Sequence, residues 1–494
     1  MKAIWTSCLA LLLTTLVACG GSSSSPIAPP PPNNAGYSNA SLSGSYVFSL
    51  HGIGPSGEAF AAVGVFTADG NGNITSGQQD VNDSVYGLQQ QAAISSGTYS
   101  VGTDGRGQAT LNFAGGNSAA LSFVLVSASK ARIIELSNAE LSSGLFELQS
   151  TAPLAPPTGS YVLRMDGSSS SGGGAVISRV GLLTAAGGSA TGALDENYNG
   201  TFTPTIAVPS TAFGSFSGTS GRGVLQFVTA AGGANANGTT IDLVFYVVNS
   251  TRVEFLSVNT SEQLSGYADA QSGAFTTASV SSPYVYSISG YSATGFINET
   301  GSFTLNSGAV STGLEDFIDT GTYSASVPFT GTYAADSINN GHFTGSFSAS
   351  GRTVNFALWF SSPQNAVLMA YNSTSSLLES GLVAVQPAVP TTSTVSGNYA
   401  LHLGGLTNNA GLALFDGQLL ADGQGTFTGL EDFNQGGSVA TGVSAVGNYS
   451  VASGRGTGTI GGIPVVLYPA SSSTTYIMST DGSRMLTGSL EAQH

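Results

Sequence analysis

The chain repeats itself four times, and any fold it adopts must be built from that unit. An opening motif, Tyr followed six residues later by Gly, reads YVFSLHG at Tyr46–Gly52, YVLRMDG at Tyr161–Gly167, YVYSISG at Tyr284–Gly290 and YALHLGG at Tyr399–Gly405. A closing motif, Ser or Thr then Gly, four residues and Gln, runs over Ser143–Gln149, Ser265–Gln271, Ser380–Gln386 and Thr487–Gln493. Successive openings lie 115, 123 and 115 residues apart. That is the size of an independent domain and far too long for a solenoid coil. Pro/Thr-rich stretches at 151–158 and 387–394 directly follow a closing Gln, and a polar stretch, 272–282, fills the second junction. The expected domains are therefore 42–150, 159–271, 282–386 and 395–494, arranged as beads on linkers.

Within a repeat the strand signals are dense. Tyr46, Phe48 and Leu50 alternate with Val47, Ser49 and His51, a period of two. Asp-Gly and Asn-Gly pairs such as Asp69-Gly70, Asn71-Gly72, Asp104-Gly105, Asp422-Gly423 and Asp481-Gly482 supply hairpin turns. Repeat one reads as strands near 44–52, 59–68, 73–81, 90–100, 107–113, 119–127, 131–137 and 143–150. Eight sequential strands with short connections predict an all-β antiparallel meander. Closing it into an up-and-down barrel disposes of its edges. The pattern resembles a compact calycin-type barrel in general plan; a β-sandwich is the alternative, although the Cys…Trp…Cys signature of immunoglobulin domains is missing. The sixth strand, LSFVLV at 121–126, IDLVFYVV at 241–248, VNFALWF at 354–360 and IPVVLY at 463–468, is apolar on both faces. Its outer face, with Val124, Val244 and Val466, should therefore be covered by a neighbouring repeat or a partner.

The acidic residue shared by all repeats is the Asp of G-x-x-D: Asp80, Asp195, Asp316 and Asp432. A Gly-Arg-Gly turn at Arg106, Arg222 and Arg455 offers a partner, replaced in repeat three by Asn340-Gly341-His342. The expectation is structural ion pairs inside each domain, Asp80–Arg106, Asp195–Arg222 and Asp432–Arg455. Repeats three and four place Glu315 and Glu431 beside that Asp, but neighbours on a strand face opposite ways, so such a pair cannot flank one glycosidic bond. Asp69-Gly70-Asn71-Gly72-Asn73 has the first spacing of a calcium loop, yet reads more simply as a hairpin turn. Histidine is limited to His51, His342, His402 and His494, with no spacing suited to zinc or to a Ser-His-Asp triad. No metal site, cofactor or catalytic residue is expected.

The N-terminus reads as a processing signal over residues 1–18, with Lys2 ahead of an apolar run too short to span a bilayer. It ends in Leu16-Val17-Ala18-Cys19-Gly20, which resembles the lipobox of bacterial lipoproteins. That resemblance implies cleavage before Cys19, lipidation of its thiol and acylation of its amino group, with ~0.8 kcal/mol of membrane affinity per buried CH₂. Gly20, rather than Asp, after the cysteine implies the outer membrane. Residues 19–41 carry the lipid and a Ser/Pro-rich tether. Cys8 falls in the removed segment, so the mature chain holds no disulfide.

Only 8% of residues are charged, the net charge is −16, and eleven basic residues form no run, which excludes nucleic acid as a partner. Hydrophobic content of 41%, with 24 Phe and 18 Tyr, is ample for four cores. The repeats also resemble uncharacterised secreted β-repeat proteins over residues 42–493. The leading expectation is a non-catalytic outer-membrane lipoprotein that displays its β-domains for adhesion, envelope structure or binding to a glycan or envelope protein. A carrier of a small apolar ligand inside a barrel and a carbohydrate-active enzyme are the alternatives.

Overall fold

The computed structural model describes residues 36–494 except 55–56, 138–139, 170–173, 230–239, 337–339, 350, 373–375, 387 and 409–410. The signal, Cys19 and most of the tether therefore lie outside the described residues. Barrel 1 consists of β1 (Ser43–Ile53), β2 (Ala59–Asp69), β3 (Asn73–Asp83), β4 (Gly87–Val101), β5 (Arg106–Phe113), β6 (Ser118–Ser127), β7 (Lys130–Glu135) and β8 (Leu141–Leu148). Each strand pairs antiparallel with the next, and β8 returns to β1. Barrels 2 and 3, over Gly159–Ala270 and Pro283–Val385, repeat this order and close likewise. Barrel 4, Ser396–Ala492, closes too, with its fourth strand broken into Ser438–Ser444 and Gly447–Ala452. The sandwich alternative is set aside by these closures.

The repeat motifs are the parts that close a barrel. The opening Tyr points inward and crosses to the turn between the sixth and seventh strands. Tyr46, Tyr161, Tyr284 and Tyr399 donate to the carbonyls of Ala128, Ser250, Pro363 and Ser472, each at 2.9 Å. The closing Gly is where the last strand crosses the first too tightly for a side chain. A Cβ on Gly144 would sit 1.8 Å from the Ser49 carbonyl oxygen, and one on Gly488 would sit 1.9 Å from that of His402. Inside, aromatic rings interlock, with Phe146 edge-on to Tyr46, Phe66 and Phe123 at 5.4–5.5 Å. Asp69 Oδ1 accepts the backbone N–H groups of Asn71 and Asn73 at 2.7 and 3.0 Å, so this carboxylate is spent within its own hairpin turn.

The barrels are not separate beads. The outer face of each sixth strand is covered by the barrel before it: Val124, Val244 and Val466 are fully buried. Val244, Tyr246, Val248 and Leu256 pack on Val47, Ala61, Val63 and Val65 of barrel 1. Trp359, Val367 and Met369 pack on Val162, Val180 and Ala193 of barrel 2. Val466, Tyr468 and Met478 pack on Val285 and Ile318 of barrel 3. Barrel 1 then offers Val124 and Val126 to Ala400, and Ile134 and Leu141 to Leu414, of barrel 4. Four seams join 1 to 2, 2 to 3, 3 to 4 and 4 back to 1, so the array is a closed ring.

Val244→Asp should place an unpaired carboxylate in the first seam, at a cost of about 3–5 kcal/mol, the scale of an uncompensated buried charge. Denaturant unfolding and small-angle scattering should show a less stable, more extended chain; unchanged compactness and stability would contradict the ring.

Candidate functional site

The third strand of every barrel carries the G-x-x-D aspartate at a β-bulge. The register skips at Asp80, Asp195, Asp316 and Asp432. The fourth strand bulges opposite, at Gln91, Thr205, Ser326 and Gly442, all with φ between 52° and 67°. Each of these residues donates its backbone N–H to the Asp Oδ1, at 3.2, 2.8, 3.2 and 2.6 Å respectively. A non-glycine residue held in this left-handed region costs about 1–3 kcal/mol unless the surroundings fix it. The buried carboxylate supplies that fixing.

The other face of the aspartate points out of its barrel. Here the expected pairing inside each domain is overturned: the cation always comes from the next barrel. Arg222 grips Asp80 through two hydrogen bonds of 2.8 and 2.7 Å, with Tyr246 adding a third at 2.6 Å. Arg455 grips Asp316 through two of 2.7 Å, joined by Tyr468 and Tyr323. Burial alone would raise Asp316, but these donors outweigh it and hold the carboxyl below its ordinary value. Arg106 reaches Asp432 with one nitrogen at 3.1 Å while keeping Asp104 at 2.9 Å, and Ser122 adds a bond of 2.5 Å. Asp195 meets His342 at 3.0 Å and the Trp359 indole at 2.7 Å. The pairing crosses seams because the Asp side chain points away from its own barrel's core, while the Gly-Arg-Gly turn of the following barrel, or Asn340-Gly341-His342 in barrel 3, is the group packed against it.

Two further contacts repeat around the ring and were not assigned from sequence. Asn82, two residues after Asp80, donates to the carbonyls of Ser257, Asn259 and Glu262; Asn197 donates to Leu377, and Asn434 to Glu135 and Ser137. The D-x-N spacing was visible in three repeats; repeat three has Ile318, which enters its apolar seam instead. The closing Gln caps carbonyls of the next barrel. Gln149 binds Ser220 and Val247, Gln271 binds Asn340 and Phe360, Gln386 binds Pro469, and Gln493 returns to Asp104 and Leu125.

Where the outward faces of the first, seventh and eighth strands converge, residues of all four barrels line a chamber of about 420 Å³. Four cations meet there, although the sequence shows no basic run: Lys130, Arg132, Arg164 and Arg252. Arg252 lies 2.8 Å from Glu254, 2.9 Å from Asp269 and 3.4 Å from Glu147, and stacks 3.6 Å over the Tyr267 ring. Glu254 is pushed up to about 7 by burial, against the pull of Arg252. His51 is pushed down to about 4 by burial and by nearby His402, so its ring faces the chamber neutral at pH 7. Lys130 and Arg132 both hold Glu491, each at 2.6 Å. The repeats diverge here. The third residue of the seventh strand is Arg132, Glu254, Val367 or Tyr476, each lining the chamber. A second cavity of about 340 Å³ shares Lys130 and Glu147 with it.

Barrel interiors offer far less room. Cavities inside barrels 2 and 3 measure about 20 and 10 Å³, space for one water and well short of the roughly 300 Å³ a ligand pocket needs. Neither barrel fits the carrier alternative. Barrel 3 buries Glu299, Glu315 and Glu379 against the single Arg352, which reaches the first two at 2.8 and 2.9 Å. Glu315 faces inward and Asp316 outward, as strand alternation requires. Burial and neighbouring Glu299 raise Glu315 well above the ordinary carboxyl value, so it stays protonated. No group of His, Cys, Asp and Glu among the described residues is arranged to hold a metal ion.

No protein-family model matches the chain, and no curated protein matches it. Among solved structures it is similar to a transferrin binding protein B double mutant from Haemophilus parasuis, 12% identical over 74% of this chain and 83% of that one, with a TM-score of 0.19. Intact Ap-TbpB, with N and C lobes, gives 12% over the same shares and a TM-score of 0.18. Likeness that slight carries no argument, and the architecture stands on the strand pairing alone.

Asp80→Ala should leave Arg222 buried without its partner, costing about 3–5 kcal/mol. Asp432→Ala should cost less, since Arg106 keeps Asp104; urea unfolding of the two variants checks the order. Glu315 carries its proton in the fold but would lose it near 4.5 when unfolded, so its burial costs stability increasingly as pH rises above that value. Glu315→Gln should therefore stabilise the protein at pH 8 and not at pH 4, and equal effects at both would contradict the assignment.

Proposed function

We propose that this chain is a lipid-anchored, non-catalytic binding protein of the bacterial cell envelope, held at the outer membrane through Cys19, with the chamber of the ring as its ligand site. The chamber carries this reading. The seams use equivalent positions of each repeat, and their residues are spent on each other, whereas the chamber mixes cations, carboxylates, two histidines, Tyr267 and Tyr476 in a different order from every repeat. Donors, acceptors and aromatic faces together suit a polar ligand, and an envelope glycan fits this chemistry better than an apolar molecule. One composite site replaces four displayed copies, because closing the ring uses up the faces that separate beads would present. The carboxylates around Arg252 are held by that guanidinium, which favours binding over acid–base chemistry.

Expression with labelled palmitate should give a lipidated protein in the outer-membrane fraction, and Cys19→Ala should abolish both label and fractionation. Ser49→Trp fills the chamber without altering a charge. Titration of the full chain against an envelope-glycan panel should find a ligand that this variant no longer binds; undiminished binding would move the site elsewhere, and hydrolysis of the glycan would refute the non-catalytic reading.

A further inference from the structure

Three sockets of the ring hold their aspartate with arginine, and one does not. At the second seam His342 takes the place of Arg222 and Arg455, and its side chain is 1% exposed. Its Nε2 lies 3.0 Å from Asp195 Oδ2 across the seam, and its Nδ1 lies 3.0 Å from Asp336 Oδ2 within barrel 3. The ring stacks on Trp359, with centroids 4.2 Å apart and 14° between planes. Trp359 and the backbone N–H of Thr205 donate to the same Asp195. Tyr371, stacked on Phe202 of barrel 2, also feels the Asp195 charge.

We propose that the second seam is a pH-sensitive joint in which the His342 cation clamps barrel 3 onto barrel 2 between Asp195 and Asp336, and in which loss of its proton loosens that seam alone. Nδ1 is hydrogen-bonded to Asp336, while Nε2 lies within ion-pair distance of Asp195 without hydrogen-bond alignment, so only the doubly protonated ring carries a proton and a charge toward both carboxylates. The neutral ring turns a lone pair toward one of them. Arginine keeps its proton at any physiological pH, so the sockets of Asp80, Asp316 and Asp432 have no such transition. Burial opposes the His342 charge, but Asp195 and Asp336 outweigh it and raise the group above 6.5. A raised cation contributes stability in full below its unfolded pKa, and that contribution disappears as pH climbs through the folded value.

Hydrogen–deuterium exchange of the full chain between pH 5.5 and 9, corrected for intrinsic rates, tests this. Protection of Ser189–Tyr198 and Arg352–Ser362 should fall by up to about tenfold for each unit by which His342 is raised. Ile241–Val248 and Val465–Tyr468, in the first and third seams, should not change. The double variant H342R/W359Y copies the Arg222/Tyr246 and Arg455/Tyr468 pairs and should give a flat profile. Should that variant fold poorly, a carbon-13 titration of the histidines in the unaltered chain decides. A His342 pKa at or below 6.5, or four seams loosening together, overturns the proposal.

Discussion

One buried carboxylate, used four times, holds the molecule together. Each G-x-x-D aspartate completes a β-bulge in its own barrel and at the same time receives the cation of the next. Barrel shape and ring assembly are therefore not separable layers of stability: the group that lets the fourth strand bend is the group onto which the neighbour docks. Taking two such charges out of water is favourable only with near-complete hydrogen bonding, and the sockets meet that condition with three to five donors on one carboxylate.

Apolar packing sets how tightly the barrels meet, and polar contacts set their register. The valine-rich face of each sixth strand could slide along its partner, since methyl groups contact one another nearly as well one position along. Asn82 on three carbonyls, or Gln149 on two, cannot shift without losing every bond. Repeat three shows the exchange directly, with Ile318 supplying area where its counterparts supply direction.

Much of this was legible in the sequence. Strand count, hairpin positions and closure follow from period-two alternation and turn dipeptides. The two-sided apolarity of the sixth strand announced that something would cover it. The ion-pair residues were also visible as a matched set, Asp80, Asp195, Asp316 and Asp432 against Arg106, Arg222 and Arg455. Their pairing was not, because four equivalent repeats make an internal bond and a bond to the neighbour indistinguishable until the curvature of the array is known. The chamber was hidden for the same reason: Lys130, Arg132, Arg164 and Arg252 are spread over more than a hundred residues and meet only when a ring brings their strands to its axis.

The fourth seam differs from the others in having no linker across it. Among the described residues, barrel 4 reaches barrel 1 through side chains and through the Gln493 and His494 contacts to Leu125 and Val126. For a polypeptide emerging amino end first, the outer strip of Val124, Val126 and Ile134 is made early and its cover last. Without barrel 4 that strip has no cover, since Ala400 and Leu414 are what pack on it. The circle therefore closes only when barrel 4 has formed, with the Gln493 and His494 contacts on Leu125 and Val126.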